Sequence, residues 1–106
     1  MLDIPVVRVK SSSYLTQIHD DVVLHCEVQF SSSVVYLYWQ QDCLNLTVSN
    51  TVRYRGGTID SPSLVIHNVT YEDTGYFTCN VVNLFGTGTS LVITLTVVGN
   101  VVGKFV

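Results

Sequence analysis

One arrangement restricts this chain more than any other: Cys26, then Trp39, then the run Asp73-Thr74-Gly75-Tyr76-Phe77-Thr78-Cys79. The segments around it alternate apolar and polar residues, the period-two pattern of strands that bury one face. Asp21–Val28 is the clearest case, with Val22, Leu24, Cys26 and Val28 on one side and Val23, His25 and Glu27 on the other. Val, Thr, Ser and Tyr are abundant and Ala is absent, a composition that favours strands and is poor for helices. The 106 residues make one domain, and 47% apolar content is enough to fill the space between two sheets.

A cysteine, a tryptophan and a second cysteine behind Asp-x-Gly resembles the framework of the immunoglobulin superfamily. The resemblance covers roughly residues 4–98. It implies an all-β fold, an immunoglobulin-like Greek-key β-sandwich between the V-set and the I-set, with one inter-sheet disulfide from Cys26 to Cys79. Trp39 is then expected to pack its indole on the sulfurs. The closed loop of 53 residues would contribute ~4 kcal/mol in the chain-entropy account, set against about 5–15 kcal/mol for a whole domain. Residues 1–98 are expected to form the domain. Residues 99–106, uncharged except for Lys104, read as a linker or tail that is poorly ordered when cut loose.

Taken in order, residues 4–10 read as an edge strand that tolerates Pro5. After Ser11-Ser12-Ser13, Tyr14–Gln17 switches to the other sheet, as the split first strand of V-type and I-type domains does. His19-Asp20-Asp21 turns where family members usually carry Gly. Ser31–Ser33 form the B–C loop. Strand C, Val34–Gln41, puts Val35, Leu37 and Trp39 inward and Tyr36, Tyr38, Gln40 and Asp42 outward. Residues 42–52 leave room for a C′ strand and little or no C″. Arg53-Tyr54-Arg55-Gly56 resembles the Arg-Phe-Ser-Gly that opens strand D, which implies an ion pair from Arg53 to Asp73, worth about 0–1 kcal/mol if exposed. Strand E, Ser63–Val69, turns Leu64, Ile66 and Val69 inward.

Strand F runs from Tyr76 to Val82. The tyrosine-corner position, two before the second cysteine, is Phe77, which faces inward, while Tyr76 faces out. Phe85-Gly86-Thr87-Gly88-Thr89-Ser90-Leu91-Val92-Ile93 resembles the J segment that closes antigen-receptor variable domains. The run from Cys79 to Gly86 also resembles the I-type pattern, in which that glycine ends a tight hairpin. Strand G, Thr89–Val97, is expected to turn Leu91, Ile93, Leu95 and Val97 inward. The expected core therefore includes Trp39, Leu64, Phe77 and Leu91.

Little in the chain points to catalysis or to a cofactor. His19, His25 and His67 have no zinc-ligand spacing, and no nucleophile elbow is present. Gly86-Thr87-Gly88 precedes no helix and is not a phosphate loop. Five basic against eight acidic residues, net −3 with no basic run, argue against nucleic acid and against contact with an anionic membrane. No apolar run is long enough to span a bilayer. Met1 opens the chain without a charged-then-apolar leader, so any signal peptide is expected to have been left off. The sequons at Asn45 and Asn68 and the paired cysteines argue for an oxidising, extracellular setting. Cys43 is the odd cysteine, a free thiol or one half of an intermolecular disulfide.

The outward face of the G-F-C-C′ sheet is the functional candidate. It should present Tyr36, Tyr38, Gln40 and Asp42 from strand C, and Tyr76, Thr78 and Asn80 from strand F, with Phe85 at the adjoining hairpin. Tyrosine gives a large amphipathic contact at low entropy cost. The resemblance implies a non-enzymatic recognition module of a receptor, binding a protein ligand or a homophilic partner, the latter as a homodimer. The other reading is one repeat of a tandem-immunoglobulin adhesion or matrix protein.

Overall fold

A computed structural model describes residues 3–29, 33–48 and 51–99. The alternating segments form strands β1 (Val6–Val9), β2 (Ser13–Gln17), β3 (Val22–Leu24), β4 (Cys26–Gln29), β5 (Tyr36–Gln41), β6 (Leu44–Asn45), β7 (Tyr54–Gly56) and β8 (Leu64–Ile66). After a 3₁₀ turn at Tyr71–Asp73 come β9 (Gly75–Asn83), β10 (Gly86–Thr89) and β11 (Ile93–Val98). Much of the Ser31–Ser33 loop and of the tail at 99–106 lies outside the described residues.

The strands make two facing layers. In one, β1 pairs with β4, β3 with β8, and β8 with β7, all antiparallel. In the other, the order is β2-β11-β9-β5-β6, with β10 also against β9. The first strand divides between the layers: β1 joins β4, whereas β2 runs parallel to β11 from Ser13 opposite Thr94 to Gln17 opposite Val98. His19, at the turn that follows, takes φ 77, a conformation more comfortable for glycine.

Inward residues from both layers close one core. Leu24, Leu64, Ile66, Val69, Phe77, Val81, Ile93 and Leu95 are fully buried with Trp39. The Cys26–Cys79 disulfide joins the layers with the Cα atoms 6.5 Å apart. Trp39 lies directly opposite Cys79 in the β5–β9 ladder, and its indole N–H donates to the Pro62 carbonyl at 2.8 Å. At the base of the sandwich, Arg53 Nη2 donates to both carboxylate oxygens of Asp73, at 2.5 and 2.6 Å. Asp73 Oδ2 also accepts the Thr70 N–H at 2.8 Å. Asp73 is buried while Arg53 is partly exposed, so this carboxylate is anchored by more than a solvent-screened contact.

Leu91 is not in the core; it is 76% exposed. The cause is a β-bulge. From Thr89 opposite Asn80 to Ile93 opposite Phe77, the chain advances four residues on one strand and three on the other. The extra residue turns both Leu91 and Val92 outward and buries Ser90 instead. Ser90 fills the broken ladder: its N–H donates to Cys79 O at 2.9 Å, and its hydroxyl oxygen accepts the Cys79 N–H at 3.0 Å. Val35 also departs from the inward expectation. It precedes β5 at an end where the sandwich opens into a cleft, and it is exposed there.

Three measurements follow from this architecture. Replacing Cys26 and Cys79 together by alanine should lower unfolding free energy by ~4 kcal/mol in denaturant titrations, and an unchanged midpoint would contradict the cross-link. Ser90→Ala should cost about 1–3 kcal/mol by stranding a buried N–H, whereas Leu91→Ser should stay within about 0.5 kcal/mol; the reverse order would rule out the bulge. The third concerns Asp21, whose carboxyl is held below its usual 3.8 first by the Asn68 N–H and then by His67, 3.1 Å away. A depressed carboxyl stabilises above its unfolded pKa and loses that contribution as pH falls through the folded value. The stability gap between wild type and Asp21→Asn should therefore close as pH drops from about 5 to about 2; a gap independent of pH would exclude this link.

Candidate functional site

Register places the tyrosine-bearing residues on one surface. In the β5–β9 ladder Tyr36 lies opposite Val82, Tyr38 opposite Asn80 and Gln40 opposite Thr78. With Trp39 and Cys79 pointing into the core, these pairs point outward. Tyr36 and Tyr38, two residues apart on one face, stack with ring centroids 5.4 Å apart and planes inclined by 29°. Tyr76 follows on β9, 61% exposed, and Tyr36 is 54% exposed.

Tyr38, Gln40, Thr78 and Asn80 line a shallow depression of about 570 Å³ together with Asp42, Cys43, Tyr76, Thr89 and Val92. Asp42 contributes the one charged side chain among these, and that charge has an internal task. Asp42 and Cys43 form the two-residue turn between β5 and β6, both at positive φ (51 and 70), which matches the twist of the strands they connect. Asp42 Oδ1 accepts the Tyr76 N–H at 2.9 Å, and the Asp42 N–H donates to Tyr76 O at 2.8 Å. Residue 75 must be glycine for this: a Cβ there would sit 2.8 Å from the Asp42 carboxylate. Cys43 exposes its thiol at the rim.

Asn80 is the correction on this face. Its side chain leaves on the outward side, yet the residue is only 3% exposed. Thr89 Oγ1 donates to Asn80 Oδ1 at 2.9 Å, and Asn80 Nδ2 donates to Thr78 O and Oγ1, each at 3.2 Å. Its cross-strand neighbour Thr89 on β10 and Thr78 take up its amide, so Asn80 shapes the floor of the depression. Phe85 does not line the depression. It sits with Leu84 at the β9–β10 hairpin, where Asn83 Oδ1 accepts the N–H groups of Phe85 at 2.8 Å and Gly86 at 3.2 Å. Val92, outward by the alternation of strand G and exposed here, lines the depression although it was not among the expected site residues. Leu15, outward on β2 opposite Thr96, extends the same surface and is signalled only by the alternation of Ser13–Gln17.

A second concavity of about 640 Å³ flanks the first, lined by Tyr36, Tyr38, Asn45, Leu46, Val48 and Ile59 among others. Asn45 is exposed and its Oδ1 accepts Gln40 Nε2 at 2.9 Å. Asn68, the other sequon residue, is exposed on the far pole, at φ 53 with Oδ1 3.0 Å from His19 Nδ1.

No curated protein sequence matches the chain. Among solved structures, tandem Ig repeats of Dlar superpose with TM-score 0.78 at 20% identity, over 94% of this chain and 51% of that one, a likeness of fold. The N-terminal Ig1-2 module of the Drosophila receptor protein tyrosine phosphatase DLAR matches at 25% identity and TM-score 0.70, over 89% of this chain and 45% of that one. Drosophila OTK extracellular domains 3-5 match at 26% identity and TM-score 0.71, over 88% and 31%. The chain thus spans about half or less of the structures it resembles. The sequence profile of the immunoglobulin domain covers residues 4–83, most of the two-layer sandwich and both bridged cysteines. By sequence and by fold, this chain belongs to the immunoglobulin domain family.

Proposed function

We propose that this immunoglobulin domain is a non-enzymatic extracellular recognition module of a receptor, and that it binds a protein partner through the outward G-F-C-C′ face. Here that face is β11, β9, β5 and β6. The observation that carries the reading is the stacked Tyr36–Tyr38 pair on a face where Tyr38, Tyr76 and Val92 line a concavity whose one charged lining side chain, Asp42, accepts a backbone N–H. Low charge and aromatic side chains are what the centre of a protein interface favours. A second copy is the partner to test first, because a tyrosine-rich face of low charge, whose Asp42 carboxylate already accepts a backbone N–H, can meet itself about a two-fold axis.

The V/I-type character is supported by the parallel β2–β11 pairing and by a β6 of two residues. A J-like closing segment is supported by Phe85-Gly86-Thr87-Gly88 and by the bulge just beyond it. At Gly88 a Cβ would lie 1.9 Å from the Pro5 carbonyl, so this strand needs glycine for the first segment to pass. An extracellular location is favoured by the disulfide.

A second reading, a structural repeat of a tandem-immunoglobulin protein, has its own support. Ile4, Leu84 and Phe85 expose apolar surface at one pole, and Tyr71 and Val98 at the other, where adjoining domains would meet. The parent chain separates the two. Many similar repeats favour the structural role, whereas one or two domains and a membrane span favour the receptor.

The face is tested by sedimentation of protein made without N-glycans. Wild type should pass from monomer to dimer with concentration, and Tyr36→Ser with Tyr38→Ser should remain monomeric at the same concentrations. Equal association of both proteins would reject this face.

A further inference from the structure

Asn45 occupies an informative place on the proposed binding face. It lies opposite Gln40 in the β5–β6 ladder, so its side chain leaves on the same outward side as Tyr38 and Gln40. The Gln40 amide holds it there through Oδ1, at 2.9 Å. With Tyr36 and Tyr38 it lines the larger concavity, and Tyr38 is shared with the smaller one. It also opens the sequon Asn45-Leu46-Thr47.

Resting on the reading of this face as the pairing surface, we propose that an N-linked glycan on Asn45 is a steric gate: the glycosylated domain stays monomeric, and the domain bare at Asn45 pairs. The modification transfers an oligosaccharide from a polyisoprenyl pyrophosphate donor. Asn45 Nδ2 forms a bond to the anomeric carbon, the carbon–oxygen bond to pyrophosphate breaks, the amide proton is lost and the lipid pyrophosphate leaves. Only Nδ2 is consumed. Oδ1 remains an acceptor, so the bond from Gln40 survives and holds the first sugar beside Tyr36 and Tyr38. A bulky, hydrated chain fixed there keeps water on the surface that a partner must dry.

The second sequon supplies the control. Asn68 lies on the far pole, held by His19, and does not line either concavity. Thr70→Ala removes that sequon while keeping the Thr70 N–H that Asp73 accepts at the 3₁₀ turn.

The test compares wild type, Thr47→Ala and Thr70→Ala secreted from a glycosylating host. Intact mass spectrometry gives occupancy, and sedimentation velocity over a concentration series gives association. Asn45 should be occupied in wild type, and Thr47→Ala should dimerise at least about ten-fold more tightly than wild type. Thr70→Ala should match wild type. Because Thr47 itself lines the concavity, Asn45→Gln serves as a second variant and should match Thr47→Ala. An unoccupied Asn45, or occupied wild type that associates as tightly as Thr47→Ala, overturns the gate. If that equal association is abolished by Tyr38→Ser, the face stands and only the gate falls. If Thr47→Ala and Asn45→Gln both stay monomeric at every concentration, the pairing face fails and takes the gate with it.

Discussion

The bond between Cys26 and Cys79 sets the orientation of nearly everything else. One sulfur comes from the start of β4 and the other from the middle of β9, so the link ties the two layers together. Trp39 stands across the ladder from Cys79 and is tethered through its indole N–H to Pro62. Together they decide which side of β4, β5 and β9 faces the core. Strand geometry repeats every two residues, so a slip of one position would bring the tyrosines inside and put Trp39 and Leu37 in water. The surface assigned to recognition is thus the reverse side of a choice made for burial.

Four polar residues are buried among the described residues: Asp73, Asn80, Asn83 and Ser90. Each sits where regular pairing is interrupted. Ser90 replaces ladder bonds lost at the bulge, and Asn83 accepts two N–H groups at the hairpin while donating to the Asp3 carbonyl at 2.7 Å. Asp73 collects Arg53 and the Thr70 N–H at the 3₁₀ turn. Asn80 takes up the Thr89 hydroxyl at the last pair of the β10–β9 ladder, just before the bulge. A buried polar group without a partner is costly, so irregular backbone is tolerated here only because side chains take up what the ladder leaves. In place of a tyrosine corner, the base has Arg53 and Asp73.

Much of the fold was legible because local and global signals agree. In Asp21–Val28 and Ser63–Val69, alternation alone assigns Val22, Leu24, Leu64 and Ile66 to the core, since these strands run in plain register. The same logic puts Tyr36, Tyr38, Gln40, Tyr76 and Thr78 on one surface. It fails where the chain gains a residue: nothing in Ser90-Leu91-Val92 announces the bulge, and extending the alternation back from Ile93 reverses Ser90 and Leu91. Alternation also describes direction and not depth. Asn80 points the expected way but lies under Thr89, and Val35 belongs to an inward series yet stands at the open end of the sandwich. The pairing of β10 with β9 is a long-range property that no single strand encodes.

The parallel pairing of β2 with β11 has a mechanical consequence. The first of these strands is entered from the amino-terminal side and the second leaves toward the carboxyl-terminal side, so tension on the two ends drags them past each other lengthwise. Their hydrogen bonds lie across that direction and would share the load, instead of parting one at a time as in a hairpin pulled open at its mouth. A domain stretched between neighbours would then resist as a unit and yield abruptly. Force spectroscopy would read this as a single sharp rupture, and a gradual extension at low force would tell against it.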